Sequence, residues 1–482
     1  MSIDKYYITT PIYYVNDVPH IGHSYTTIVA DTLARYFRIK LGKENVFFLT
    51  GTDEHGDKVA QSAEAKNLSP QEFCDEISAE YKEAWSLLNI SNDYFIRTTD
   101  KDHEKRVKEI FTKLKNAKTP KGNDVIYQDE YEGLYCTGCE KFLTERDLED
   151  GMCPDHQKEP EIVKEKNWFF RLSDYIKDLE AKILSGEFEI LPESRKNETL
   201  GLIKQGVGDF SISRESVKWG IELPFDSEQK SYVWVDALSN YITALGYPDD
   251  LDNFNKWWPA DLHLMAQDIL KFHAFYWPAI LMALGLELPK REFIHGFFTI
   301  DGKKMSKSVG NVISPAELVT RYGTDATRYL LLAQFSFGLE SDIKVELFDE
   351  KYNADLANGL GNLVARVSNL IEKNFSGKTE LKEINIKTNI SENIEKYKFN
   401  EALKEINKLV AESNQLIDKE KVWELVKSEE KKAYDVLSEL ASNLLFIAKH
   451  LKPFMPETAD KIEKIFKAGK IEKPKEALFQ RI

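Results

Sequence analysis

Tyr6-Tyr-Ile-Thr-Thr10, His20-Ile-Gly-His23 and Asn45-Val-Phe-Phe-Leu-Thr50, taken in this order, decide the fold. Tyr6 to Thr10 is a short run of aromatic and β-branched residues, a predicted strand. Pro11 to Pro19 reads as a loop. From about Gly22 to Leu41 the apolar positions Tyr25, Ile28, Val29, Leu33, Tyr36 and Phe37 recur at helical spacing, and Gly42 ends the run. Asn45 to Thr50 is a second apolar strand, leading into Gly51-Thr-Asp-Glu-His-Gly56. Strand, helix, strand predicts an α/β fold, with a parallel sheet that binds ligands at the carboxyl ends of its strands.

Further along, the texture changes. From about 115 to 220 turn residues are dense, as in Thr119-Pro-Lys-Gly-Asn-Asp124, and this stretch reads as an insertion. Regular α/β patterning returns at Ser231-Tyr-Val-Trp-Val-Asp236. It continues through an apolar helix over Ile269 to Leu284 and a strand over Phe293 to Ile300. Beyond about 350 the chain reads as all helical. Phe399, Leu403, Ile406 and Val410 keep helical spacing, as do Leu437, Leu440, Leu444, Ile447 and Leu451. Ser376 to Lys387 reads as a linker.

The 482 residues exceed one ordinary core and predict about three domains. With 42% hydrophobic and 30% charged residues, the composition is that of a folded, soluble chain. No apolar run is long enough to span a bilayer, and the first residues lack a signal-peptide pattern, so a cytosolic protein is expected. The net charge of −15 speaks against nucleic acid as a partner of the whole surface, but leaves room for a local basic track.

Three of the 4 cysteines fall between 136 and 153. Cys136-x2-Cys139-x13-Cys153-x2-His156 has the ligand types and pairing of a closed tetrahedral zinc site. A closed site is structural, so no catalysis is expected from it. Cys74 lies outside this set and reads as a small core residue.

His20-Ile-Gly-His23 stands where a loop meets a helix N-terminus, and free N–H groups there favour anions. Gly22 lets a base or ribose come near the backbone, and both imidazoles can donate to phosphate oxygens. Lys304-Met-Ser-Lys-Ser308 follows a strand and a turn. Its cations suit a pyrophosphate that is gripped in a transition state and then released.

In these two motifs, and in their order, the chain resembles the class I aminoacyl-tRNA synthetases. The resemblance implies that His20 and His23 bind ATP phosphates, and that Lys304 and Lys307 stabilise adenylate formation. It implies ATP with Mg2+ as cosubstrate. Within the class the chain is similar to the methionyl-tRNA synthetases, nearly from end to end. Thr10-Pro-Ile-Tyr-Tyr14, Gly51-Thr-Asp-Glu-His55, Tyr232-Val-Trp-Val-Asp-Ala237 and Ile269-Leu-Lys-Phe-His-Ala-Phe-Tyr-Trp277 carry that similarity. It implies a methionine pocket lined by Ile12, Tyr14, Trp234, Ala237, Leu238, Tyr241, Ile269, His273 and Trp277, with Asp53 for the substrate ammonium. An aromatic-lined apolar pocket suits a thioether. Glu222 and Asp268 are implied to hold the ribose. Here the chain departs from the family: Ala266-Gln267 replaces the usual Gly-Lys, which loses a cation and implies a differently held ATP.

The same resemblance implies a Rossmann-like catalytic domain in two halves, 1–115 and 222–300. A connective domain with one structural Zn2+ would be inserted at 116–221. A signature-loop region at 301–349 and a helical anticodon-binding domain at 350–482 would follow, in which Asn362, Arg366 and Trp423 read tRNA(Met). A monomer is expected, since no dimerisation module follows the bundle. Cysteinyl relatives are disfavoured because Thr9 to Pro19 holds no cysteine. Relatives with a large editing insertion are disfavoured by length.

Overall fold

The computed structural model describes residues 4–16, 18–138, 141–143, 145–154, 157–300, 302–304, 312–382, 384 and 386–482. The chain forms two compact units. One comprises Met1–Pro19, Leu41–Ala84 and Ser91–His295, and the other His20–Lys40, Trp85–Ile90 and Gly296–Ile482.

The first unit is built on a six-stranded sheet. Its strands are β1 (Tyr6–Tyr14), β2 (Val46–Asp53), β3 (Tyr94–Arg97), β4 (Glu189–Leu191), β5 (Leu262–Ala266) and β6 (Arg291–His295). They lie in the order β3-β2-β1-β5-β6-β4, and every neighbouring pair is parallel. The parallel sheet expected from the sequence is therefore present. Its central strands β1, β2 and β5 are buried almost throughout, as a sheet covered on both faces requires.

Three local differences have physical causes. First, β1 runs on through Pro11 to Tyr14 instead of ending at Thr10, with a register shift between Thr9 and Ile12. Pro11 has no N–H to give to the ladder, so pairing breaks there and resumes. Second, the expected helix over 269–284 is divided into a 3-10 turn Gln267–Ile269, a π turn Phe272–Tyr276 and an α-helix Trp277–Ala283. Pro278 cannot donate to the preceding turn, and a wider turn before it accommodates that loss. Third, Glu189–Leu191, inside the stretch read as an insertion, is the edge strand of the parallel sheet. The same stretch also holds a separate antiparallel sheet, ordered Lys141–Leu143, Ile126–Cys136, Glu161–Phe170, Phe210–Ser211, and the helices Ile176–Ser185 and Glu193–Gln205.

Gly51 in β2 is dictated by its neighbour: a Cβ there would stand 2.0 Å from the carbonyl oxygen of Ile96 in β3. This close approach carries β2 to Asp53 at the carboxyl end of the sheet.

The second unit holds the helix Ile21–Leu41, a small sheet of Lys303–Lys304, Phe298–Ile300 and Ser341–Ile343, and the helices that end the chain. Its hub is Arg328, fully buried. It pairs with Asp31 at 2.7 Å and donates to the carbonyls of Leu88, Pro453 and Phe454. A guanidinium is tolerated in a core only when its donors are used in this way. The amphipathic helices Asn362–Phe375, Phe399–Lys419 and Glu430–Leu451 bury Val364, Val367, Leu403, Ile406, Leu437 and Leu444 in a bundle.

Candidate active site

Ile12 and Tyr14 lie on β1, and Asp53 ends β2, opposite Tyr14 in the register. Trp234, Ala237, Leu238 and Tyr241 lie along the helix Val233–Thr243. Ile269, His273 and Trp277 follow β5. All ten residues expected to line the pocket thus belong to the first unit. Their segments leave the carboxyl ends of β1, β2 and β5, or pack against them.

The wall is aromatic and uncharged. Trp234 stacks on Phe272 at 3.6 Å, and Tyr241 lies 5.8 Å from Trp277. Nδ1 of His273 faces the carbonyl of Ile269 at 3.0 Å, so that nitrogen carries the proton. Nε2 then accepts from the Tyr241 hydroxyl at 2.8 Å. Burial pushes His273 down to about 4, which keeps it neutral at pH 7. Burial also raises the Tyr241 phenol well above its ordinary value.

Behind this wall, Trp277 Nε1 donates to Nε2 of His263 at 3.4 Å, and Nδ1 of His263 meets Thr9 Oγ1 at 2.8 Å. His263 pairs in register with Glu292, which is fully buried; neither carboxyl oxygen of Glu292 has a hydrogen-bond partner among the described residues. Desolvation raises that carboxyl well above the usual range, so it too is neutral. Aromatic walls with polar edges and no net charge would suit a polarizable, uncharged side chain. Asp53, 8% exposed, supplies the negative charge beside it.

Three buried charged groups of this unit were not assigned a role from sequence. Glu54 is buried and takes a bidentate pair from Arg97 at 2.7 and 2.8 Å. Asp236 is buried between His55 and His103, each 2.7 Å away. Arg214 is buried, paired with Glu165 at 2.8 Å, and lies over the Tyr135 ring at 4.0 Å. Glu54 and Asp236 stand in the runs Gly51–His55 and Tyr232–Ala237, but the partners of all three groups lie far along the chain.

Both nucleotide signatures fall in the second unit. His20 and His23 stack with ring centroids 3.8 Å apart. Nδ1 of His20 accepts from the Gly22 N–H at 3.1 Å, and Nδ1 of His23 from the His20 N–H at 3.4 Å. Each neutral ring therefore carries its proton on Nε2, as a donor. Burial, with His20 alongside, lowers His23 well below the ordinary histidine value. The Ile21 N–H, at the head of the helix, donates to the carbonyl of Ile313 at 3.1 Å, just beyond the second signature. The backbone of Lys304 pairs with Thr299. Its side chain, and all of Lys307, lie outside the described residues.

Asp268 is exposed in the turn after β5. Glu222 is exposed on a different, antiparallel hairpin, where Lys230 holds it at 2.7 Å. The substitution at Gln267 has a neighbour invisible in the sequence: Nη2 of Arg195 donates to its Oε1. A cation is thus present beside position 267, although none is encoded there.

A sequence profile described as "tRNA synthetases class I (M)" matches residues 6–160 and 148–368, and one described as "Anticodon-binding domain of tRNA ligase" matches 382–481. The methionine–tRNA ligase of Caldanaerobacter subterraneus subsp. tengcongensis is 48% identical over 95% of this chain and 73% of its own length. That of Nostoc sp. is 44% identical over 94% of this chain and 88% of its own. The crystal structure of Mycobacterium tuberculosis methionyl-tRNA synthetase bound by methionyl-adenylate is similar with a TM-score of 0.91 at 35% identity. It covers 99% of this chain and 100% of that one. The chain belongs to the class I methionyl-tRNA synthetases, the methionine–tRNA ligases.

Two further regions were expected to serve a methionyl-tRNA synthetase. Cys136 and Cys153, 5% and 1% exposed, pack into one small cluster with Leu143. Two buried thiols in one cluster, Cys136 at the end of an antiparallel strand and Cys153 outside the sheet, fit half of a tetrahedral metal site. Cys139 and His156 lie outside the described residues.

In the helical part, Asn362 and Arg366 share one face of Asn362–Phe375. Both reach Asn414 at 3.5 Å, and Arg366 pairs with Asp418 at 2.5 Å. Trp423 is 42% exposed, so it is not a core tryptophan of this bundle.

Proposed function

We propose that the chain activates L-methionine with ATP at the carboxyl end of the parallel sheet and passes the methionyl group to tRNA(Met). The observation that carries this assignment of residues is the Tyr241–His273 pair in a neutral aromatic wall, with the Asp53 carboxylate beside it. Ile12, Tyr14, Trp234, Ala237, Leu238, Ile269 and Trp277 enclose the thioether side chain. Asp53 receives the ammonium, a charge-assisted contact. The substrate carboxylate is then free to attack the α-phosphate of ATP, with pyrophosphate leaving.

His20 and His23, as Nε2–H donors at a helix N-terminus, bind phosphate oxygens. Gly22 leaves room for the nucleoside, and Asp268 and Glu222 are assigned to the ribose. Lys304 and Lys307 neutralise charge that develops on the phosphates. Such catalysis rests on positioning and charge, and needs no protein nucleophile. Mg2+ enters with ATP as part of the substrate.

Cys136, Cys139, Cys153 and His156 would hold one structural Zn2+, whose chemistry is to cross-link the inserted sheet. Asn362 and Arg366 read base edges of the anticodon, and Trp423 offers a stacking face. Among the described residues no helix is long and apolar enough to cross a membrane, and we assign the protein's work to the cytoplasm.

Asp53→Asn tests the assignment. Loss of the charged contact is expected to raise the methionine KM at least tenfold in ATP–pyrophosphate exchange, with the ATP KM unchanged. An unchanged methionine KM would remove Asp53 from the site.

A further inference from the structure

A buried cluster centred on Asp236 includes His55, two positions after Asp53, and is larger than amine recognition by one carboxylate requires. Asp236, 1% exposed, sits in the first turn of Val233–Thr243. Its Oδ2 accepts from Nδ1 of His55 at 2.7 Å, and its Oδ1 from Nε2 of His103 at 2.7 Å. Nδ1 of His103 meets the Thr243 hydroxyl at 2.7 Å, which returns the chain of contacts to the same helix. The far nitrogen of His55 faces Glu104 at 3.6 Å, and its ring lies 5.3 Å from Trp219. His55 and His103 are each 2% exposed.

An ionised carboxylate can only accept, so both imidazoles donate to it. One side chain therefore joins three segments: the end of β2, the helix Lys101–Asn116 and the helix Val233–Thr243. Two pocket residues flank these joints. Asp53 precedes His55 by two positions, and Trp234 precedes Asp236 by two.

The charges are consistent with this bracing. Burial works to raise the Asp236 carboxyl, but the His55 charge and the imidazole hydrogen bonds hold it below the usual range. Burial likewise works to lower His55, yet Asp236, with Glu104 and Asp53, pushes it up to about 10. A buried ion pair with every donor used is costly to break on one side only.

We propose that Asp236, through His55 and His103, is a positioning residue for substrate-ammonium recognition: it fixes the Asp53 carboxylate against the Trp234 wall. This rests on the reading that Asp53 takes the ammonium and Trp234 lines the pocket. Asp236 itself need not touch the substrate.

Asp236→Asn is the direct test, because the amide presents N–H where one imidazole N–H already points. His103→Gln, a milder change, guards against loss of folding. Three ligands are compared by competition against exchange and by calorimetry. Methionine carries ammonium and carboxylate, methioninol keeps only the ammonium, and 4-(methylthio)butanoate keeps only the carboxylate.

The expected result is that Asp236→Asn weakens methionine and methioninol by a similar factor of about ten or more, a loss typical of one charged contact. The des-amino acid and ATP should bind as before. His103→Gln should weaken the same two ligands by less. Equal weakening of all three ligands would reduce the cluster to a structural brace and overturn the proposal. So would no weakening of any. If the unaltered chain shows no methionine-dependent exchange, the functional reading itself falls, a result distinct from either.

Discussion

The Tyr241 hydroxyl donates to Nε2 of His273 at 2.8 Å, while the other nitrogen of that ring is tied to the carbonyl of Ile269. The pair is buried, and each group is held in its neutral form. Its orientation commits the Tyr241 proton to the imidazole. This polar pair is thereby fixed without a charge.

Tyr241→Phe should raise the methionine KM by about tenfold with a smaller change in kcat, and leave the ATP KM alone. It should also destabilise the first unit by about 1–3 kcal/mol, because Nε2 of His273 becomes a buried acceptor without a donor. Exchange kinetics and urea unfolding check both. Unchanged values in both would mean that the pair has no part in binding or folding.

His55 gives stability a dependence on alkali. Its ring titrates near 6.5 when unfolded and at about 10 in the folded chain. Its contribution is complete below 6.5, declines from there, and is gone above about 10, at no more than about 1.4 kcal/mol per pH unit. Unfolding midpoints of the unaltered chain should therefore fall more steeply between pH 7 and 10 than those of His55→Gln. Parallel curves would contradict this.

Glu292 acts in the opposite pH range. Its folded carboxyl is raised well above 4.5 by burial, so folding at neutral pH must take up a proton. That uptake is absent below the unfolded value and grows as pH rises above it. Glu292→Gln, neutral at every pH, should gain on the unaltered chain as pH rises from 5 to 7, by no more than about 1.4 kcal/mol per unit. A difference in stability that stays constant over this range would show that Glu292 is ionised in the fold.

Trp423 is exposed, and its removal should spare folding. Trp423→Ala is expected to leave exchange and the unfolding midpoint unchanged. Aminoacylation should show a tRNA KM raised by about tenfold, the scale of one lost stacking contact. An equal loss in exchange would place the residue outside anticodon reading.

The legible features were local. His20, His23 and Lys304 announce themselves within a few residues, and the alternation around β1 and β2 points to a parallel sheet. The continuation of β1 past Pro11 was not legible, because proline ordinarily ends a strand and the neighbouring β2 restores pairing only in three dimensions. Asp236 and His55 are 181 residues apart, and Asp236 and His103 are 133 apart. Such pairings leave no periodic trace. Gln267 likewise reads as a lost cation until Arg195, 72 residues away, is seen beside it.

ATP–pyrophosphate exchange with each of the twenty amino acids decides whether this chain activates methionine. Exchange is expected with methionine above all others, lowered at least tenfold in catalytic efficiency by Asp53→Asn. Exchange led by cysteine or isoleucine, or none with any amino acid, would contradict the methionine assignment.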